Sequence, residues 1–214
     1  MIELYFGGPV WQLCYDPEAL SDDDRVRLDL KRAPRAEKDW QVSRSVAAAL
    51  RRAVNKDRNA PVSLSHSHGH ALAGLVSSRA VLGVDLERCR QRDIDALAHW
   101  ICSPEERFFL DAVPDPAARM QWFYVLWTVK EALVKAAALP FPAGMQQVGL
   151  AWGDNAEVTL RAPGGDWQAM AWTLPHDWVA AAAWQVEPGS TTIEAVRWHQ
   201  LEPAQWLGSW QSGS

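Results

Sequence analysis

WTVKEALVKA, residues 127–136, reads as helix throughout, and what flanks it decides the fold. Upstream no breaker interrupts the pattern back to Pro116, and downstream Pro140 and Pro142 stop it at about Ala138. Trp122, Val125, Val129 and Leu133 recur at helical spacing and predict a buried stripe, while Tyr124, Thr128, Glu131 and Lys135 share another. QQVGLAW, AEVTLRA, WQAMAWTL and WVAAAAWQV follow, separated by Gly, Pro and Asp turns, and predict an antiparallel sheet. IEAVRWHQ adds a last strand, and the tail GSWQSGS is expected to fray.

The same order of strand, helix and strands occurs earlier in the chain. IELYFGG and VWQLCY read as a strand or hairpin, and SDDD at 21–24 as a helix N-terminus with acids in its first turn. A second helix is predicted from about Ala36 to Val54, with Trp40, Ser43, Val46, Ala47 and Leu50 on one face. NKDRNAP breaks it; PVSLSHS and ALAGLVSS are strands around a His/Gly turn, and AVLGVDLE is another strand. IDALAHW and SPEERFFLDAV are short helices, the latter with Ser103 as N-cap and Pro104 at its first position. The expected class is α+β: two similar lobes in one chain, each a long helix on a mainly antiparallel sheet, related by a pseudo-twofold. The expected divisions are 1–80, 81–205 and a tail at 206–214.

With 48% hydrophobic and 22% charged residues, 214 residues can bury a sizeable core. A net charge of -5 argues against a general nucleic-acid binder, yet basic residues concentrate between Arg25 and Arg58 and could form a local anion-binding patch. The three cysteines have neither metal nor disulfide spacing. No basic region precedes an apolar run at the start, and no stretch has the length of a membrane span, so a cytoplasmic protein is expected.

Three segments carry candidate chemistry. In GVDLE, residues 83–87, strand alternation puts Asp85 and Glu87 on one face and Val84 and Leu86 on the other. Two carboxylates so placed suit Mg²⁺, or simply a solvated edge. In WTVKEALVKA, Glu131 lies between Lys130 and Lys135; it either salt-bridges Lys135 at i,i+4 or offers a third carboxylate, with the lysines meeting phosphate. In SLSHSHGH, residues 63–70, a strand-end histidine flanked by serines could donate to a phosphate. His66, His68 and His70 also invite a zinc reading, without a fourth ligand nearby in sequence.

Taken in order, SHS, GVDLE and WTVKEALVK resemble the signatures of the 4'-phosphopantetheinyl transferases of the larger, pseudo-dimeric type, in the W/KEA version. The resemblance covers most of the chain. It implies Mg²⁺-dependent transfer of the phosphopantetheine arm of coenzyme A to a serine of an acyl or peptidyl carrier protein, releasing adenosine 3',5'-bisphosphate. It also implies that Asp85, Glu87 and Glu131 hold the metal and that Glu131, directly or through a metal-held water, takes the serine proton. Ser65 and His66 would meet the nucleotide, and Lys135 and Lys130 the diphosphate. Arg44, Lys31 and Arg32 would serve the adenosine end. Coenzyme A is then expected where the two lobes face each other, with a monomer sufficient to build the site. The carrier protein would dock near Arg107, Arg119, Phe108 and Phe109. Two departures stand out: RNAPVSLSHS has Ala60 where the family usually has a basic residue, and Ala136–Ala138 replace the usual glycine. The other function compatible with the resemblance is a non-catalytic relative that binds coenzyme A or a carrier protein.

Overall fold

Two sheets, each covered by one long helix, organise the chain. The structure, a computed structural model, describes residues 1–76, 80–153, 157–186, 195–200 and 205–212. In the first half come β1 (Ile2–Gly7), α1 (Asp22–Arg25), α2 (Pro34–Ala53), β2 (Ser63–Ser67) and β3 (His70–Val76). Then follow β4 (Leu82–Arg88), α3 (Ile94–Ile101), α4 (Pro104–Ala112) and α5 (Pro116–Ala136). The remaining strands are β5 (Gly149–Trp152), β6 (Val158–Arg161), β7 (Trp167–Leu174), β8 (Trp178–Gln185), β9 (Val196–His199) and β10 (Gln205–Gln211). The chain divides into two compact units, residues 1–78 with 194–202 and residues 79–193 with 203–214.

In the first unit the sheet order is β2-β3-β1-β9. α2 lays Val42, Val46, Ala49 and Leu50 on Tyr5, Ala71, Ala73 and Leu75, so the apolar stripe of the helix closes this core. The β2–β3 turn puts both His68 and Gly69 at positive φ, as a two-residue hairpin loop with the strands' own twist requires. Asp39 on α2 accepts a hydrogen bond from the Gly69 N–H at 2.8 Å, tying the turn to the helix.

In the second unit the order is β10-β7-β8-β4, with every neighbouring pair antiparallel. β8 is central, and its alternate residues Val179, Ala181 and Ala183 pack in the same core as Val129, Ala132, Leu133 and Ala136 of α5. Such short side chains let helix and sheet approach closely. α4 begins with a reciprocal capping box between Ser103 and Glu106. β5 and β6 form a separate two-stranded hairpin.

The fold is mixed α+β with antiparallel sheets, as expected, but several elements differ from their sequence reading. VWQLCY is a 3-10 stretch from Pro9 to Cys14 and not a strand, because Pro9 opens a tight turn directly after Gly8. The helix expected from Ser21 is the single turn α1; Val26, Leu28 and Leu30 beyond it alternate and stay exposed, so no apolar face supports further turns. IEAVRWHQ supplies β9, which pairs parallel with β1 in the first unit's sheet. The tail does not fray up to Ser212: β10 pairs with β7, and Trp210, 7% exposed, anchors it. Residues 77–78 of ALAGLVSS, 156 of AEVTLRA, 193–194 of IEAVRWHQ and 213–214 of the tail lie outside the described residues. Among the described residues no helix is long and apolar enough to cross a membrane.

Candidate active site

Gly83 is the reason β4 and α5 can share a site. A Cβ there would stand 1.9 Å from the Ala132 carbonyl oxygen and 2.8 Å from the Ala136 nitrogen, so only glycine lets the helix backbone lie against this strand. Strand alternation sends Asp85 and Glu87 to the same face as Gly83, toward α5. Of the two readings open for this face, a simply solvated edge does not hold, since Asp85 is only 2% exposed. Lys135 of α5 donates to Asp85 Oδ1 at 2.7 Å and to the Val84 carbonyl at 3.2 Å. It also lies 3.5 Å from Glu131 Oε2, the i,i+4 contact foreseen from sequence.

The balance of charge here is negative. Burial first, and then the neighbouring Asp85 charge, push the Glu131 carboxyl up to about 7, with Glu87 adding to the rise and Lys135 opposing it. Burial works against the Lys135 ammonium, but Asp85 and Glu131 outweigh it and hold its pKa above the ordinary lysine value. Among the described residues no three His, Cys, Asp or Glu side chains are arranged to grip an ion as they stand, because Lys135 holds two of the carboxylates. In kind, however, the donor set fits a hard dication: oxygen ligands only, with negative charge in excess of the single lysine.

Lys130 is elsewhere. It is fully buried, and its ammonium donates to Glu106 Oε2 at 2.6 Å and to the Val148 carbonyl at 2.7 Å. The Glu106 carboxylate also accepts from the Ser103 and Leu150 N–H groups and from Arg161. Expected to meet a diphosphate, Lys130 instead belongs to a buried ion cluster, because on a helix residues 130 and 131 point about 100° apart. Burial lowers its pKa against the pull of Glu106. Gly149, at φ +140, makes room for the cluster, since a Cβ there would stand 2.0 Å from Glu106 Oε1. Sequence reasoning missed Glu106 as a partner, although the S-x-x-E box at 103–106 marks it as a helix-start residue.

In the first unit a concave pocket of about 800 Å³ is lined by residues that include Asp24, Arg27, Arg44, Arg51, Ala60 and His66. Arg44 is set in place by Asp24 at 2.9 Å and Ser43 at 3.1 Å. The Arg44 and Arg32 guanidinium carbons lie 3.9 and 3.8 Å from the centre of the Trp40 ring. Both guanidinium groups therefore pack on the Trp40 ring within cation–π distance. Arg32 additionally donates to the Arg27 and Leu30 carbonyls, while Lys31 is exposed. His66 is exposed and lines the pocket, whereas Ser65, on the opposite face of β2, is buried; the pocket therefore receives one of the two. His66, His68 and His70 form no metal-holding group among the described residues.

Of the expected docking residues, Phe108 is 79% exposed and Phe109 stacks on Trp152 at 4.7 Å. Arg119 is engaged by Asp95 at 2.6 Å and Asp111 at 2.7 Å, which leaves it little charge for a partner. Where the family glycine is missing, Ala138 itself adopts φ +51, the left-handed conformation glycine would take more readily.

Residues 81–183 match the 4'-phosphopantetheinyl transferase superfamily. The segment contains Asp85, Glu87, Glu131 and Lys135. A protein of Synechocystis sp. provisionally named a 4'-phosphopantetheinyl transferase is 33% identical over 97 residues, which span 44% of this chain. The match covers about two fifths of that relative, 39% of its length. A holo-(acyl-carrier-protein) synthase from Bacillus anthracis, solved with coenzyme A (3',5'-ADP), aligns with 49% of this chain and 94% of its own. Its TM-score is 0.42 at 13% identity.

Proposed function

We propose that the protein is a 4'-phosphopantetheinyl transferase of the larger, pseudo-dimeric type in its W/KEA version, acting on coenzyme A and an acyl or peptidyl carrier protein. The observation that carries this reading is the cluster of buried Asp85 with the more accessible Glu131 and Lys135, set by Gly83 and lying inside the segment that matches the superfamily. The strand orders support reading the two units as copies. Counting only the strands of each four-stranded sheet in chain order, the first lies beside the third, β1 beside β3 and β4 beside β8, and the long helix falls between the first and the second.

The carrier serine oxygen would attack the diphosphate phosphorus that bears the pantetheine arm. That phosphorus–oxygen bond forms, the bond to the bridging oxygen breaks, and adenosine 3',5'-bisphosphate leaves. Glu131 would accept the serine proton. Lys135, now shared by two carboxylates, would transfer its contact to the incoming phosphate. Asp85, Glu87 and Glu131 would hold Mg²⁺, which supplies charge neutralisation at the diphosphate. The pocket with Arg44 and His66 would take the adenosine end, with Lys31 and Arg32 beside it on the chain. We further place the protein in the cytoplasm and expect a monomer.

The test is to incubate the protein with coenzyme A, Mg²⁺ and several apo carrier proteins and weigh the carriers. A gain equal to the phosphopantetheine mass, lost in excess chelator, is the expected outcome. No gain on any carrier under conditions where coenzyme A binds would leave a binding module and exclude the transferase.

A further inference from the structure

Besides the close backbone contact at Gly83, hydrogen bonds tie α5 to β4 and the residues just beyond it at two places. One is the Lys135–Asp85 contact at 2.7 Å. The other is a reciprocal pair of hydrogen bonds between one phenol and one residue's main chain: Tyr124 Oη donates to the Arg90 carbonyl at 3.1 Å and accepts from the Arg90 N–H at 3.3 Å. The Cys89 N–H still bonds across the sheet, to the Asp177 carbonyl at 2.7 Å, so the chain leaves the sheet at the residue the phenol captures. Tyr124 is 1% exposed, which keeps water from competing for either bond.

The two fastenings have matching spacing. From Arg90 back to Asp85 is five residues, β4 and the two residues beyond its end at Arg88, about 16.5 Å if extended at 3.3 Å per residue. From Tyr124 to Lys135 is eleven residues of helix, again about 16.5 Å at 1.5 Å per residue. The elements therefore run antiparallel and in register. Glu87, about 10 Å along the strand from Arg90, comes level with the residue about 10 Å along the helix from Tyr124, which is Glu131. β8 pairs with the strand through Arg88, opposite Trp178, and the phenol holds the chain just beyond that ladder.

We infer that Tyr124 is a positioning residue: its clamp on the Arg90 main chain sets the distance between Glu87 and Glu131. This rests on the reading that Asp85, Glu87 and Glu131 act as one cation-binding set. The clamp grips backbone, so it is indifferent to the Arg90 side chain and sensitive to the loss of either the phenol or the Arg90 N–H.

The probe is Mn²⁺ alone, titrated into the full-length protein and followed by electron paramagnetic resonance, with unfolding midpoints recorded in parallel. Tyr124→Phe keeps the ring and is expected to weaken Mn²⁺ binding about 10-fold. Arg90→Pro, which deletes the N–H, should do the same, and Arg90→Ala should bind as wild type. Asp115→Ala removes the α5 N-cap, whose carboxylate accepts from the Ala117 and Ala118 N–H groups, and supplies a destabilised control that leaves the clamp intact. Wild-type Mn²⁺ affinity in Tyr124→Phe, or an equal loss in Asp115→Ala, overturns the inference and makes Tyr124 a packing residue. Should Tyr124→Phe fail to fold, Arg90→Pro against Arg90→Ala decides alone. Wild-type protein that binds no Mn²⁺, or binds it unchanged after Glu131→Gln, overturns the cation site itself and the clamp's role with it.

Discussion

Replacing Glu131 by glutamine should stabilise the metal-free protein while abolishing transfer. The folded state carries this carboxyl at a pKa of about 7 against an ordinary 4.5, chiefly through burial and the Asp85 charge. Each tenfold in proton affinity corresponds to about 1.4 kcal/mol, so ionising Glu131 in the folded protein at pH 8 costs about 3 kcal/mol. The direction with pH follows from proton counting. Between pH 4.5 and 7 the folded state keeps a proton that the unfolded state has released, so this group's contribution falls as pH rises through that window. Glutamine does not titrate and removes the term, but it also gives up the 3.5 Å contact with Lys135. A net gain on the order of 1–2 kcal/mol at pH 8, shrinking toward zero at pH 5, is expected. Urea unfolding in chelator at pH 5, 6, 7 and 8 measures it. An offset that is the same at every pH, or a variant less stable than wild type at pH 8, would refute the reasoning: Glu131 would then be an ordinary surface ion pair. A variant both firmer and inactive is what a site that keeps electrostatic strain for chemistry should give.

Lys130→Met strips the buried Glu106 of its closest cation and should cost about 3 kcal/mol, with Glu106→Gln in the same chain restoring part; coenzyme A affinity of the folded fraction should be unchanged in calorimetry. Gly83→Ala forces α5 away from β4 and should cost about 3 kcal/mol in chemical unfolding, together with most of the transfer rate. His66→Ala, at an exposed position, should leave the unfolding midpoint alone and weaken coenzyme A about 10-fold; a normal titration would remove it from the nucleotide site.

The helices and the central strands were legible because their apolar periodicity is strong: Val46 and Leu50 of α2 and Val129 and Leu133 of α5 are all fully buried. The edges were not. β9 carries only four residues, and nothing in VRWH says which sheet edge it will join; that depends on Glu3 lying opposite Arg197 and within 2.8 Å of His199. At the candidate site, strand alternation grouped Asp85 with Glu87 but did not announce the burial of Asp85. Burial follows from Gly83 admitting α5, and a single glycine in a strand does not announce which helix it will meet. Lys130 misled for a related reason. Adjacent to Glu131 in sequence, it looks equally available to a phosphate, and only the fold reveals Glu106, 24 residues earlier, as its partner.

The return of the chain to its starting sheet has a consequence for synthesis. β1 leaves the ribosome well before its outer edge can be covered, because β9 follows nearly 200 residues later. Until then its N–H and C=O groups on that side are an open template for any passing strand. β10 closes the second sheet later still. Neither unit can thus be completed on a partial chain, and no single cut yields two intact pieces. A fragment ending near residue 80 should therefore self-associate on translation, while the whole chain escapes that fate only after β9 has emerged.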